Sequence, residues 1–130
     1  MILQVIDRDF SVYKVNEIPA DLLKNEFTFI GTTDNELSVI SETRLVPEDA
    51  IITESGWKCF RIAEDASFEK YGMISFLANI IAAQKTSTLV VGTYDTDYLF
   101  IKEEKFDEVI QALKENGCTF VDPVHRYYSA

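Results

Sequence analysis

The chain has 130 residues, of which 47% are hydrophobic and 12% aromatic, and its formal net charge is −10. This length and apolar content suffice for one compact domain, or for two small domains that share a core. The excess of acids leaves no basic patch that could neutralise phosphates, so we expect no nucleic-acid partner. The same negative charge disfavours an anionic membrane surface.

The two cysteines, Cys59 and Cys118, lie in no CxxC motif and near no histidine, so the sequence predicts no zinc site. We interpret both as small buried hydrophobic residues of a cytoplasmic protein. The first ten residues lack the basic start of a signal peptide. No apolar run approaches the ~20 residues that a membrane span needs, so we expect no membrane partner.

In the first half of the chain, short β-rich runs alternate with turns. Turn residues at 7–9, 34–36 and 47–49, and a break at 54–56, separate these runs. A short helix with proline in its first turn is predicted over residues 18–23. Strands are predicted over 3–6, 10–15, 27–32, 37–41 and 50–53.

The second half has two clearer helices. The strand at 57–63 and a polar loop over 64–71 lead to Gly72, which opens a helix with a recurring apolar face. A second helix is predicted over 105–116, and Gly117 ends it. The apolar positions of the first helix are Met73, Ile74, Phe76, Leu77, Ile80 and Ile81. Further strands are predicted over 89–91, 98–101 and 118–121.

This second half follows the order β-α-β-β-α-β, which is typical of a ferredoxin-like unit. Such a unit forms a four-stranded antiparallel sheet with both helices on one face. Its central hairpin, residues 88–103, carries an unusually polar turn between two apolar strands. The turn has two carboxylates, and a purely structural hairpin would need only Asn-Gly or Asp-Gly. The alternative is a solvated turn stabilised by side-chain bonding to its own backbone.

The first half contains a partial copy of this hairpin. With Gly31 placed on Gly92, residues 31–42 (GTTDNELSVISE) and 92–103 (GTYDTDYLFIKE) are identical at five of twelve positions without a gap. The alignment predicts two related α+β units, residues 1–55 and residues 56–130, of which the first has the weaker helices. The seam between two such units is a natural ligand crevice.

Four stretches together resemble one family. They are GW at 56–57, GMISFLANIIA at 72–82, STLVVGTYDTDYLFIKEE at 87–104 and TTDNELSVI at 32–40. The resemblance is to small bacterial tandem ACT-domain proteins, which look like relatives of the arginine sensors called CASTOR. More distantly, the chain is similar to the regulatory ACT domains of aspartate kinases. The most specific string is GTYDTDY at 92–98.

The resemblance implies an α+β fold of two tandem ferredoxin-like (βαββαβ) ACT units whose antiparallel sheets pack side by side. It implies a non-catalytic regulatory module that binds a free amino acid between the units. The contact elements would be residues 66–74 and 93–97 of the second unit and residues 32–38 of the first. The implied ligand-binding residues are Ser67, Phe68, Gly72, Met73, Ile74, Thr93, Tyr94, Asp95, Thr96, Asp97, Thr33, Asn35 and Ser38.

The chemistry of these residues suits a zwitterion. Backbone N–H groups at the start of the Gly72 helix, with the positive end of the helix dipole, suit a carboxylate. Asp95 and Asp97 offer acceptors to an ammonium group or a cationic side chain. The structural alternatives remain open: Gly72 as a simple helix-entry residue, and Met73, Ile74 and Phe76 as core residues.

The sequence favours a binding module over an enzyme. It has no nucleophile elbow, P-loop, GxGxxG or HExxH motif, and His125 is its single histidine, so we expect no catalytic residues and no cofactor. A divalent ion held by Asp95 and Asp97 is conceivable but not our expectation. The alternative function is a structural or protein-interaction module of the same fold without a small ligand. A homodimer through sheet or helix faces is open in both readings.

Overall fold

The computed structural model describes residues 1–64 and 71–126, and by its internal contacts the chain divides into two compact units. Unit 1 comprises Met1–Arg8 and Lys58–Ala130, and unit 2 comprises Asp9–Trp57. The predicted polar loop over 64–71 lies almost entirely outside the described residues. The strands are β1 (Ile2–Lys14), β2 (Phe29–Thr32), β3 (Leu37–Glu42), β4 (Ile52–Glu64), β5 (Thr88–Gly92), β6 (Asp97–Lys102) and β7 (Thr119–Val124), and the helices are α1 (Met73–Ala83) and α2 (Glu103–Glu115).

Two strands are longer than the sequence predicts, and each contributes residues to both units. The expected turn at 7–9 does not exist, because β1 continues through it with Arg8 buried between two other inward positions. The expected break at 54–56 is also wrong. There β4 continues through Gly56, whose φ of 86° is a conformation that glycine adopts without the steric cost that Cβ imposes. A charged residue in β1 and a glycine with positive φ in β4 therefore do not end these long strands, because a strand tolerates a local irregularity.

Unit 1 has the strand order β7-β1-β4-β6-β5. The β5–β6 hairpin is antiparallel, with Thr88 opposite Ile101 and Gly92 opposite Asp97. The prediction of a four-stranded, wholly antiparallel sheet is wrong. The sheet has a fifth strand, because β1 lies between β7 and β4, and β1 pairs with β7 in parallel. The register of that pair shifts after Gln4, next to Pro123. Proline has no N–H to donate, and an edge strand with an irregular register tolerates it.

One side of the unit 1 sheet is covered by the two helices. Phe60 and Ile62 of β4 pack with Leu99 and Ile101 of β6 under the buried face of α1 and α2. The predicted apolar faces are confirmed except at Phe76, which is 40% exposed. The buried helix residues are Met73, Leu77, Ile80 and Ile81 in α1, and Val109, Ala112 and Leu113 in α2.

The predicted end of α2 at glycine is confirmed in detail. Gly117 has a φ of 93°, its N–H donates to the Lys114 carbonyl (3.1 Å), and the Cys118 N–H donates to the Leu113 carbonyl (3.0 Å). These two bonds form a Schellman motif, which satisfies carbonyls that the helix end leaves without a partner. The helix begins two residues earlier than predicted, with Glu103 and Glu104 in its first turn, where the helix dipole favours acids.

Unit 2 contains strands β2 and β3, the second half of β1 and the first part of β4. Both β1–β3 and β2–β3 pair in antiparallel fashion. The helix predicted over 18–23 is corrected to a single 3₁₀ turn, Leu22–Lys24, and a second 3₁₀ turn occupies Thr43–Leu45. A small cluster of buried residues forms its core: Tyr13, Val15, Leu22 and Val39. Burial raises the pKa of the Tyr13 phenol, which is partly offset by its 2.8 Å hydrogen bond with Ser41.

The interpretation of both cysteines as buried is confirmed, since each is a buried free thiol. Burial raises the pKa of Cys59 well above its ordinary value, although the positive charge of Arg61 acts in the opposite direction. Burial also raises the pKa of Cys118. Because the thiolate is the reactive form, both thiols are expected to be inert near neutral pH.

We therefore expect iodoacetamide to modify both cysteines of the native protein far more slowly than those of the protein in guanidinium chloride. Mass spectrometry over time measures the rates, and the denatured protein is the control. Cys59 should react last, because it is the more deeply buried of the two. Native labelling of Cys59 at the denatured rate would contradict this assignment.

Candidate functional site

The polar turn between β5 and β6 is built around one threonine. The Thr93 N–H and hydroxyl both donate to the Thr96 carbonyl, at 2.8 and 3.0 Å, and the Thr96 N–H approaches the Thr93 hydroxyl at 3.4 Å. Threonine, and not aspartate, therefore supplies the side-chain bonding that stabilises the turn. Within the described part of the chain, the carboxylate groups of Asp95 and Asp97 make no hydrogen bond and no ion pair. Their carboxylates are thus not used to hold the turn together.

The turn is fastened to the neighbouring strand by a side chain. The Thr96 hydroxyl donates to the Ile62 carbonyl of β4 at 2.8 Å. Asp97 is also constrained, because its Oδ1 lies 3.0 Å from the position that a Cβ on Gly92 would occupy. Glycine at residue 92 therefore lets the carboxylate lie directly against the opposite strand. The turn is consequently held in one place by the neighbouring strands.

The start of α1 is shaped by Gly72. Its φ of 80° is left-handed, and the Phe76 N–H donates to its carbonyl at 2.8 Å. A Cβ at Gly72 would meet no atom within 4 Å, so the position requires glycine for its backbone conformation and not for space. The first turn of α1 contains no acid and no side-chain cap. Its N–H groups and positive dipole end are therefore suited to an anionic ligand group.

These two elements meet at a cavity of about 190 Å³, which we call the turn cavity. The first two residues of α1, the whole polar turn and one β4 side chain form its wall. Apolar side chains lie on the helix and strand side, and carboxylates and hydroxyls lie on the turn side. Its lining residues are Ile62, Met73, Ile74, Thr93, Tyr94, Asp95, Thr96 and Asp97.

The structure brings seven of the expected ligand-binding residues together in the turn cavity: Met73, Ile74 and the five residues of the turn. Gly72 immediately precedes them. Ser67 and Phe68 lie outside the described residues. Thr33, Asn35 and Ser38 belong to the β2–β3 hairpin of unit 2, and a ligand role for them stays a prediction.

The β2–β3 hairpin repeats the geometry of the polar turn, but not in the register of the sequence alignment. The Thr33 N–H and hydroxyl donate to the Glu36 carbonyl at 2.9 and 3.4 Å, as those of Thr93 do to Thr96. Strand pairing agrees, since Thr32 is opposite Leu37 and Gly92 is opposite Asp97. Equivalent positions are therefore about 60 residues apart, and the offset of 61 that aligned Gly31 with Gly92 is wrong by one.

A second cavity, of about 340 Å³, lies beside the same turn, and sequence reasoning missed it. We call it the Arg61 cavity. It shares Ile62, Asp95 and Thr96 with the turn cavity, and its other lining residues are Gln4, Arg61, Ala63 and Tyr98. A charged residue in the otherwise apolar stretch 59–63 was the signal that could have indicated it. Arg61 stands between the buried residues Phe60 and Ile62.

Over residues 1–64 and 71–126, no group of three or more His, Cys, Asp or Glu side chains is placed to hold a metal ion. Neither of the helices in that part of the chain has the length and apolar character needed to cross a membrane.

Comparison with known proteins finds one matching family model. The family model described as an ACT domain matches residues 52–115, which include the turn cavity and the helix that opens it. A comparison with curated proteins finds no match.

Solved structures share the fold over most of the chain. A protein from Agobacterium tumefaciens is 22% identical, with a TM-score of 0.87 over 98% of this chain and 96% of its own. A protein of unknown function from Vibrio cholerae, described as a possible transport protein, is 22% identical, with a TM-score of 0.70 over 87% of each chain. The ligand-free regulatory subunit of aspartate kinase from Thermus thermophilus is 8% identical, with a TM-score of 0.61 over 88% of this chain and 97% of its own. The ACT-domain model thus matches residues 52–115, and over most of its length the chain is similar in fold to the regulatory subunit of an aspartate kinase.

Proposed function

We propose that this protein is a non-catalytic regulatory module that binds a free amino acid in the turn cavity. The observation that carries the proposal is the meeting of the α1 start and the polar turn at one cavity. A free amino acid needs hydrogen-bond donors for its carboxylate and acceptors for its ammonium group. The first turn of α1 supplies the former, and Asp95 and Asp97 supply the latter.

The likeness to a regulatory subunit of aspartate kinase supports this class of function, because that protein shares the fold over most of this chain. The tandem arrangement of two ACT units, the relation to arginine sensors and a cytoplasmic location belong to the same proposal. The repeated hairpin geometry at Thr33 and Thr93 supports the tandem arrangement. A homodimer through sheet or helix faces is part of this proposal as well.

A protein-interaction module without a small ligand is the alternative function, and one feature favours it. Large apolar side chains of unit 2 are more than half exposed, namely Leu23, Ile51 and Ile52. Exposed apolar side chains can mark a surface that another protein covers. The two functions differ in whether a small molecule alone stabilises the chain.

A thermal-shift screen of the twenty free amino acids distinguishes the two functions. A ligand that binds only the native state, at a hundred times its Kd, is expected to add about 2.7 kcal/mol to the free energy of unfolding. For a domain of this size, that corresponds to a rise in Tm of several degrees. Sodium chloride at the same ionic strength is the control for charged amino acids. A flat response to all twenty would favour the interaction module.

A further inference from the structure

We propose that the α1–α2 pair of unit 1 is a docking surface for a basic amphipathic helix of a partner protein. The two helices pack against each other over one side of the sheet. A groove of about 420 Å³ opens at their surface, and we call it the helix groove. Its lining residues are Gln84, directly after α1, and Asp107, Glu108, Gln111, Ala112 and Glu115 of α2.

The exposed face of α1 is uncharged. None of its 11 residues is charged, although charged residues make up 26% of the chain. A helix at a protein surface ordinarily carries charged and polar residues on its outer face. Here Phe76 is 40% exposed, and the small residues Ala82 and Ala83 are exposed next to the helix groove. Small side chains let a second helix approach closely, because the side chains at the contact set the distance between packed helices.

The exposed face of α2 is acidic, and its carboxylates line the helix groove. Glu108 pairs with Lys105 at 3.3 Å, and Glu115 accepts a hydrogen bond from the Gln111 amide at 3.2 Å. Among residues 1–64 and 71–126, Asp107 has no hydrogen-bond or ion-pair partner. One of the three groove carboxylates is therefore paired with a cation in this part of the chain, and the groove keeps an excess of negative charge.

Charge and apolar character together select the occupant. A helix that places apolar residues against α1 and Lys or Arg residues against α2 matches both faces, as amphipathic helices do in hydrophobic grooves. A second copy of this chain would bring its own carboxylates against those of α2 in a twofold contact. On this surface a basic partner is therefore favoured over a second copy. The buried Ala112 at the groove leaves room for a side chain of the partner.

The spacing of the carboxylates predicts the pattern of the partner. Glu108 and Glu115 are seven residues apart on α2, which at 1.5 Å per residue is about 10.5 Å along the helix axis. A partner helix alongside α2 meets both with basic residues one heptad apart. Its apolar residues then recur at the a and d positions of the same heptads. This inference does not depend on an amino acid in the turn cavity.

The test uses a fluorescein-labelled peptide of about three heptads, with leucine at a and d, lysine at e and g, and alanine elsewhere. Fluorescence anisotropy with the full chain, without added amino acid, measures its Kd in about 0.15 M sodium chloride, which screens distant charges. We expect saturable binding. A peptide with serine in place of leucine keeps the charge and should bind at least about tenfold more weakly. Equal binding by the two peptides would mean non-specific charge attraction and would overturn the proposal.

Two triple variants with the same change in charge locate the binding. Neutralising the groove with Asp107→Asn, Glu108→Gln and Glu115→Gln should raise the Kd about fivefold or more, since three charge contacts are lost. The matched control neutralises three exposed acids of unit 2. Its substitutions are Glu17→Gln, Glu48→Gln and Asp49→Asn, and it should bind like the wild type. All six changes keep the shape of exposed side chains, so folding is expected to be unaffected. Equal Kd values for the two triple variants would show that the inference is wrong.

The contribution of α1 is tested separately. Phe76→Ala should weaken peptide binding by a few-fold, because exposed apolar contact area is lost. An unchanged Kd would count against α1 as part of the surface. If the surface were instead a contact between copies, the wild type would sediment as a dimer that Phe76→Ala dissociates, and that result would also overturn the proposal. Because the peptide titration contains no amino acid, its failure is distinguishable from failure of the turn cavity as a site.

Discussion

Replacement of Phe60 by alanine is expected to lower the free energy of unfolding by about 3–5 kcal/mol. Phe60 is completely buried in the core of unit 1, and its ring meets Phe120 of β7 edge to face with the centroids 6.4 Å apart. The truncation removes both the buried apolar area and an aromatic pair, and it leaves a cavity that a close-packed core fills only in part. Urea unfolding followed by circular dichroism measures the change.

The matched control is Phe76→Ala, which makes the same chemical change at a side chain that is 40% exposed on α1. We expect a loss of less than about 1.5 kcal/mol there, because much of that ring is already in water. A loss at Phe60 no larger than that at Phe76 would mean that the sheet and helices of unit 1 do not pack as described.

Asp97→Asn is expected to weaken the binding of the amino acid found in the thermal-shift screen. Its Kd should rise by about ten- to a hundredfold. Asp97 is half-buried, lies against Gly92, and faces the turn cavity but not the Arg61 cavity. The amide keeps the shape of the side chain but removes its charge, so the change reports the charged contact with the ammonium group. Isothermal titration calorimetry on both proteins measures it.

Asp49→Asn is the control for this prediction, since Asp49 is an exposed carboxylate of unit 2 outside residues 32–38, for which a ligand role is predicted. It should leave the Kd unchanged. Asp95→Asn should have a smaller effect than Asp97→Asn, because Asp95 is more exposed to water, where charge interactions are weaker. Equal binding by the Asp49 and Asp97 variants would remove the turn cavity as the site.

Local sequence signals predicted the helices of unit 1 well. The apolar spacing of α2 and the glycine after it are physical requirements of a helix that packs on one side and ends in a left-handed residue. The convergence of the Gly72 helix and the Thr93–Asp97 turn was also accessible, because the ferredoxin-like order brings these segments to one end of the sheet. The features that could be predicted from the sequence were therefore mostly local ones, such as helix faces and helix ends, or ones that follow from the ferredoxin-like order of elements.

The errors came from residues whose local preference was overruled by their neighbours. Asp7-Arg8-Asp9 reads as a turn, yet β1 buries Arg8 and continues. The two hairpins were aligned on identical residues, which gave an offset that is wrong by one residue. Because side chains alternate with a period of two, a shift of one residue assigns each side chain to the opposite face of the strand. The Arg61 cavity depends on Gln4, Arg61 and Tyr98 from three strands far apart in the sequence. No local pattern marks such a set.

The pairing of β1 with β7 has a consequence for how the chain folds during synthesis. Gln4 bonds to Asp122, 118 residues further along, and Ile2 lies opposite Thr119. Because β1 lies between β7 and β4, unit 1 cannot complete its sheet until residues 119–124 have left the ribosome. Unit 2 is continuous from Asp9 to Trp57 and can be assembled much earlier. Nascent chains stalled before β7 should therefore show a protected unit 2 and a protease-sensitive Arg61 region, so the unit 1 sheet is completed only after β7 has been synthesised.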